Sequence, residues 1–180
     1  MTEAILFLPD GFEEIEAITP LDILRRADID VTSVSLIDDI DVLGSHGICV
    51  EADIMFDEIE YTKETMLILP GGPGVTHYRV HDKLISLLTK HNAAGGHIAA
   101  ICAAPSFLGG LDMLKNKKAT CHPSVETALG AKELRNENVV TDGNITTARA
   151  AGASTAFALE LVRIIKGEDV AQEVAKAAYF

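Results

Sequence analysis

Three segments of the sequence carry groups suited to nucleophilic chemistry, and the most informative is the one around Cys102. This cysteine ends the apolar run 96–101 and is followed at once by residues 103–108, a segment typical of a helix. A thiol at the corner between a buried strand and a helix lies at the helix N-terminus, where free N–H groups and the positive end of the dipole favour thiolate. A small buried thiol that only packs is the alternative.

The second segment, residues 11–16, places three carboxylates at the start of a predicted helix. Glu13 and Glu14 are interpreted as complements of the helix dipole, a role worth well under about 1 kcal/mol each. Glu16 lies on a different face from Glu14, so its carboxyl is a candidate to hydrogen-bond the Cys102 thiol or to move a proton beside it. A solvated carboxylate with no such role is the alternative.

The third segment is the glycine-rich turn at residues 70–74, which follows a short apolar strand. Because glycine has no Cβ, the N–H groups of Gly71 and Gly72 can approach a ligand closely. The N–H of Gly72 and that of Ala103 are candidate donors of an oxyanion hole. A tight turn that binds nothing would explain the same glycines.

The histidines and the remaining cysteines give weaker signals. His122 follows a predicted strand and is a candidate acid or base, although a lone histidine is more often structural. If His122 points into the cleft, the two-residue period of a strand turns Cys121 away from it, as a packing residue. His77 and His81 are spaced to share a helix face, but zinc requires three or four ligands, so no metal site is predicted. No partner is identifiable for three histidines: His46, His91 and His97.

Composition narrows the class of protein. The 180 residues, 48% of them hydrophobic, suffice for one well-packed domain over residues 1–180. The formal net charge of -12 repels phosphate backbones and anionic lipid, so neither nucleic acid nor membrane is expected as a main partner. Three widely spaced cysteines and an N-terminus without a basic region followed by a hydrophobic signal predict a reducing, cytoplasmic location.

The order of predicted elements defines the fold class. Apolar strands alternate with amphipathic helices, which predicts an α/β fold with a mostly parallel sheet covered on both faces. The turns after Leu8, Leu69 and Ile101 then lie at carboxyl ends of strands, so the three segments converge on one cleft. The predicted strands are 4–8, 31–36, a hairpin at 43–52, 66–69, 96–101, 119–121, 139–140 and 145–147, and the predicted helices are 13–27, 82–92, 103–108, 123–129 and those beginning at 151 and 168.

Four strings, GFEEIE at 11–16, LPGG at 69–72, AAICAAP at 99–105 and CHP at 121–123, span the chain in this order. Together they resemble the ThiJ/PfpI superfamily, in the branch of the parkinsonism-associated protein deglycase (DJ-one). The resemblance implies a flavodoxin-like three-layer sandwich that forms a homodimer. It further implies that Cys102 is nucleophilic and oxidation-sensitive, that Glu16 touches it with His122 nearby, and that Gly72 and Ala103 are oxyanion-hole donors.

The resemblance also implies a cofactor-independent activity. It is the conversion of methylglyoxal or glyoxal to hydroxy acids, or the removal of early dicarbonyl adducts from Cys, Lys and Arg side chains. One alternative is a cysteine-based oxidative-stress sensor or redox-regulated chaperone without significant turnover. A small-molecule-binding domain is the least favoured alternative, because no Ser- or Thr-rich phosphate loop follows the first strand.

The chain departs from the resembling proteins in several places. Peptidases of the superfamily carry a histidine directly after the nucleophile, whereas this chain has Ala103, so peptide cleavage is not expected. Relatives in the branch tend to carry Gly-Pro after the arginine that corresponds to Arg149, and here Ala150 and Ala151 follow it. His46 replaces an arginine near the end of the hairpin, and the chain stops at Phe180 without a further terminal helix. Cleft access and the dimer contact are therefore expected to differ.

Overall fold

The computed structural model describes residues 2–180, in which eleven strands and six α-helices alternate. The strands are β1 Ala4–Leu8, β2 Val31–Ser35, β3 Asp41–Leu43, β4 Cys49–Glu51, β5 Ile54–Met55, β6 Met66–Leu69, β7 Ile98–Ile101, β8 Lys118–Ala119, β9 Glu133–Leu134, β10 Val139–Asp142 and β11 Ile145–Ala148. The α-helices are α1 Glu14–Arg26, α2 Val75–Tyr78, α3 Asp82–Ala93, α4 Ala104–Gly110, α5 Ser154–Lys166 and α6 Glu168–Ala178. None of the helices in this part of the chain has the length and apolar character needed to cross a bilayer.

Seven strands form one central sheet with the order β10-β11-β7-β6-β1-β2-β5. All neighbours in it are parallel except β10 and β11, which pair antiparallel. Taken in chain order, the five strands β1, β2, β6, β7 and β11 have the 2-1-3-4-5 arrangement of flavodoxin-like folds. Because the chain reverses direction across the sheet between β1 and β6, a crevice opens there at the carboxyl ends of the strands.

The sheet separates two hydrophobic cores, as the alternation within β1 shows. Ala4, Leu6 and Leu8 pack on the face covered by α1, α5 and α6. Ile5 and Phe7 point to the other face, where α3 and α4 supply the partners. A strand whose residues are buried on both faces carries no polar alternation, which is why the sequence shows continuous apolar runs. The predicted three-layer α/β sandwich is confirmed.

The segment after α4 differs from the prediction. The strand expected at 119–121 is only Lys118–Ala119, and it pairs with β9 outside the central sheet. It does not continue to Cys121, because the N–H of Thr120 donates to the side-chain hydroxyl of Thr147 (3.0 Å) instead of to a backbone carbonyl of a neighbouring strand. The helix expected at 123–129 is a 3-10 helix, Pro123–Ala128. The hairpin expected at 43–52 is confirmed as the antiparallel pair β3 and β4.

Candidate active site

Cys102 occupies a sharp turn between β7 and α4, above the carboxyl edge of the sheet. Its φ of 65° is in the left-handed region, which costs a non-glycine residue roughly 1–2 kcal/mol. Backbone hydrogen bonds hold the turn on both sides: the Cys102 N–H donates to the Ala148 carbonyl (2.9 Å), and the His122 N–H donates to the Cys102 carbonyl (2.8 Å). A strained strand-to-helix corner that presents a side chain in this way has the backbone geometry of a nucleophile elbow.

Glu16 is completely buried, so the interpretation of this residue as a solvated carboxylate is wrong. Its Oε2 accepts a hydrogen bond from the N–H of Gly71 at 2.9 Å. Its Oε1 is buried without a partner of standard hydrogen-bond geometry among the described residues, and the Cys102 thiol interacts with this carboxyl. A buried acceptor without a partner is costly, and the S–H group is the donor placed to satisfy it. The fold therefore brings Glu16, Gly71 and Cys102 together, as the sequence predicted.

The two glycines after β6 allow this close approach. A Cβ on Gly71 would lie 2.6 Å from Glu16 Oε2 and 2.7 Å from the Cys102 Cβ. Gly72 has a φ of +91°, and a Cβ there would lie 2.6 Å from the backbone nitrogen of Glu13. The N–H groups of Gly72 and Ala103 both interact with the Cys102 sulfur. The predicted oxyanion-hole donors thus both lie close to the thiol.

Burial dominates the electrostatics of the Glu16–Cys102 pair. It raises the pKa of Glu16 to about 7, and the charge of Glu13 acts in the same direction. Burial, together with the Glu16 carboxylate, raises the pKa of the Cys102 thiol to about 12, while the N–H groups of Ala103 and Gly72 act in the opposite direction. The two N–H groups favour thiolate, as the position at the helix N-terminus predicts, and desolvation and the facing carboxylate oppose them. Cys102 and Glu16 therefore form a buried pair in which desolvation disfavours the charged form of each group.

His122 contacts the Cys102 turn through its backbone, and its ring is hydrogen-bonded to Ser124. Its Nδ1 is 2.8 Å from the Ser124 hydroxyl and accepts from the Ser124 N–H at 3.2 Å. Within residues 2–180 we find no hydrogen bond between this ring and the Cys102 thiol. Cys121 is 1% exposed and belongs to the core under α4, which confirms it as a packing residue.

Sequence reasoning missed a polar cluster beside the site. Glu14 is buried and accepts hydrogen bonds from the N–H (2.7 Å) and the Nδ1 (2.8 Å) of His46, so it is more than a dipole complement and His46 has a partner. The hairpin folds back over the start of α1, a long-range contact that neither segment signals alone. His77 and His81 do not share a helix, because α2 ends at Tyr78 and His81 caps α3.

Comparison with known proteins places this site in a family. The sequence profile of the DJ-1/PfpI family matches residues 2–164. The chain belongs to the DJ-1/PfpI family. Protein dj-1beta of Drosophila melanogaster is 35% identical over 176 residues, which cover 96% of this chain and 94% of that protein. The crystal structure of Drosophila melanogaster DJ-1beta has a TM-score of 0.93 at 32% identity and covers 99% of this chain and 98% of its own.

Two further relatives add information, one through its greater length and the other through the activity in its name. Protein DJ-1 homolog A of Arabidopsis thaliana is 37% identical over 169 residues, which are 92% of this chain and 43% of that protein. This chain therefore spans less than half the length of that relative. Deglycase PH1704 of Pyrococcus horikoshii is 29% identical over 165 residues, which are 90% of this chain and 99% of that protein.

Proposed function

We propose that this chain is a cofactor-independent glyoxalase and protein deglycase, acting on methylglyoxal, glyoxal and their early protein adducts through Cys102. The observation that carries the proposal is the fully buried Glu16 carboxyl, held by Gly71 and facing the thiol. A base with a pKa of about 7 is well matched to accept a proton at neutral pH. The name of the Pyrococcus horikoshii relative, a deglycase, supports the same class of activity.

The first step is attack of the Cys102 sulfur on the aldehyde carbon of the dicarbonyl. A C–S bond forms, the thiol proton passes to Glu16, and the carbonyl π electrons move to the oxygen. The N–H groups of Gly72 and Ala103, which already interact with the sulfur, stabilise the developing oxyanion. Glu16 returns the proton to that oxygen, which gives a hemithioacetal and leaves Glu16 ionised.

Glu16 then moves a proton between the two adjacent carbons. It removes the proton from the hemithioacetal carbon, the hydroxyl proton on that carbon passes to the neighbouring carbonyl oxygen, and an enediol-like intermediate forms. Glu16 then returns its proton to the neighbouring carbon. The product is a thioester on Cys102. Water cleaves the thioester to lactate from methylglyoxal or glycolate from glyoxal, so the sum of the steps is addition of one water with no external oxidant or reductant. We assign His122 a supporting role in orienting this water or the substrate.

The test is lactate production from methylglyoxal by freshly reduced protein without glutathione, with glyoxal as the second substrate. Turnover is expected in the native chain and is expected to be abolished by Cys102→Ser. Cys49→Ser is the matched control, because Cys49 is exposed on β4, away from the elbow, and this variant should keep full activity. Full activity in Cys102→Ser, or no turnover in folded, reduced native protein, would overturn the proposal.

A further inference from the structure

The cluster of Glu13, Glu14 and His46 is not used by the proposed reaction. One ligand atom from each of these residues lies within 4.8 Å of the other two. The Nδ1 of His46 is 2.8 Å from Glu14 Oε2 and 3.6 Å from Glu13 Oε1. Ligand atoms about 2.1 Å from a tetrahedral zinc ion lie roughly 3.4 Å apart, so only small side-chain movements separate this arrangement from a coordination shell.

We propose that Glu13, Glu14 and His46 form a binding site for one divalent transition-metal cation of the Zn²⁺ type. The donor set is one imidazole nitrogen and two carboxylate oxygens, which zinc accepts, whereas Mg²⁺ and Ca²⁺ prefer oxygen ligands alone. Two carboxylates neutralise the charge of the ion. Their two full charges outweigh the roughly half positive charge at the start of α1.

The structure holds the ligands in place before any ion binds. Glu14 is 7% exposed, and a Cβ on Gly44 would overlap its carboxyl, so the hairpin packs directly on this side chain. The N–H of His46 donates to Glu14 Oε1, which leaves Oε2 turned towards the imidazole. The Ser45 hydroxyl lies 3.2 Å from Glu13 Oε2 and 3.1 Å from Glu14 Oε2, so it can donate its one proton to either carboxylate.

The cluster is also open to solvent on one side. The side chain of His46 is 67% exposed and that of Glu13 is 18% exposed. An ion can therefore enter from water, displace the proton of His46 Nδ1 into solvent, and keep a water molecule as its fourth ligand.

The site is tested by isothermal titration of the metal-free full-length protein with Zn²⁺. One ion per chain is expected to bind, and His46→Gln and Glu14→Gln should each weaken binding at least tenfold. His46→Gln changes an exposed side chain and should leave the fold intact, so it decides the outcome if Glu14→Gln is unstable. His77→Gln, which changes an exposed histidine outside the cluster, is the matched control and should bind normally.

Cys102 is the competing ligand, so Cys102→Ser is titrated in parallel. Unchanged zinc affinity in Cys102→Ser together with loss in His46→Gln supports the proposed site. Loss in Cys102→Ser with normal binding in His46→Gln would place the ion on the thiol and overturn the proposal. Failure of the native protein to bind Zn²⁺ at millimolar concentration would overturn it as well. These readouts are binding constants, so the result is independent of whether the chain turns over dicarbonyls.

Discussion

At the scale of single residues, the candidate active site depends on a carboxyl that the fold buries at a cost. Glu16 has no exposed surface, and only its Oε2 has a standard hydrogen bond among the described residues. Burial in this position disfavours the charged form, which is the reason for its pKa of about 7. Burial of Glu16 lowers the stability of the fold at neutral pH and above, and it also makes the residue a competent base. Such a trade-off between stability and activity is common at functional sites.

Glu16→Gln should therefore stabilise the protein while it inactivates it. The folded-state pKa of Glu16 is raised above the unfolded value of 4.5, so stability is full below pH 4.5 and falls as the pH rises towards 7. Glutamine keeps an acceptor for the Gly71 N–H and never ionises. We expect the variant to gain about 2–3 kcal/mol over the native chain at pH 8.

Urea unfolding of both proteins at pH 8 and pH 4.5 measures this gain, which should nearly vanish at the lower pH. Lactate production by the same samples should fall at least a hundredfold in the variant. Equal unfolding free energies of the two proteins at pH 8 would show that burial does not oppose the ionisation of Glu16. Full turnover by the Glu16→Gln variant would show that Glu16 takes no part in the reaction.

Gly71→Ala tests the close contact between the glycine turn after β6 and the Glu16–Cys102 pair. Its Cβ would lie 2.6–2.7 Å from atoms of Glu16 and Cys102, both of which are fixed by their own elements. We expect turnover to fall at least tenfold and unfolding free energy to fall by about 1–3 kcal/mol, as for other overpacked sites.

Gly152→Ala is the matched control, because a Cβ at Gly152 meets no atom within 4 Å. Both variants are compared by urea unfolding and by methylglyoxal turnover. Normal activity in Gly71→Ala would mean that Glu16 can move aside without consequence, which contradicts the geometry described here.

At the scale of elements, the sequence predicts the parts that local pattern encodes. The apolar runs of β1, β6 and β7 and the turns after them were enough to place Glu16, Gly71 and Cys102 at one edge of the sheet. The partners of His46 could not be predicted, because they depend on how the β3–β4 hairpin folds back over α1. The pKa of Cys102 could not be predicted either, since the sequence shows the helix N-terminus but not how deeply the thiol is buried.

His97, directly before β7, makes the amino end of the sheet sensitive to acid. Burial lowers its pKa to about 4, with His91 and Lys117 acting in the same direction and Glu160 opposing them. Its Nε2 lies 2.9 Å from the hydroxyl of Thr146. Because the folded-state pKa is below the unfolded value of 6.5, stability is full above pH 6.5 and is lost as the pH falls towards 4.

The expected loss between pH 7 and pH 4.5 from His97 is about 2 kcal/mol. His97→Gln should lose correspondingly less over this range, as measured by urea unfolding at the two pH values. The other titrating groups remain in both proteins, so their contributions largely cancel in the comparison. His77→Gln, which changes an exposed histidine, should follow the native chain. Identical acid profiles for His97→Gln and the native protein would refute this assignment.

At the scale of the whole molecule, the surface carries an apolar patch on neighbouring elements. Ile15 and Ile18 project from α1, and Leu43 and Ile48 flank the tip of the β3–β4 hairpin. All four side chains are between 40% and 56% exposed. The His46–Glu14 hydrogen bonds fix the hairpin against α1, so the two halves of the patch are held together. Exposed apolar patches of this kind mark interaction surfaces in soluble proteins.

We expect this patch to mediate a homodimer. A twofold contact would bury the same four side chains on both copies and remove them from water. Ile48→Asp would place a charge on each side of that contact, and the resulting desolvation and repulsion should shift the protein to monomer at micromolar concentration. Light scattering coupled to size-exclusion chromatography measures the mass directly. Val80→Asp is the control: Val80 is 78% exposed between α2 and α3, away from the patch, and the variant should remain dimeric. A native chain that elutes as a monomer, or Ile48→Asp that stays dimeric, would show that this patch does not mediate a homodimer.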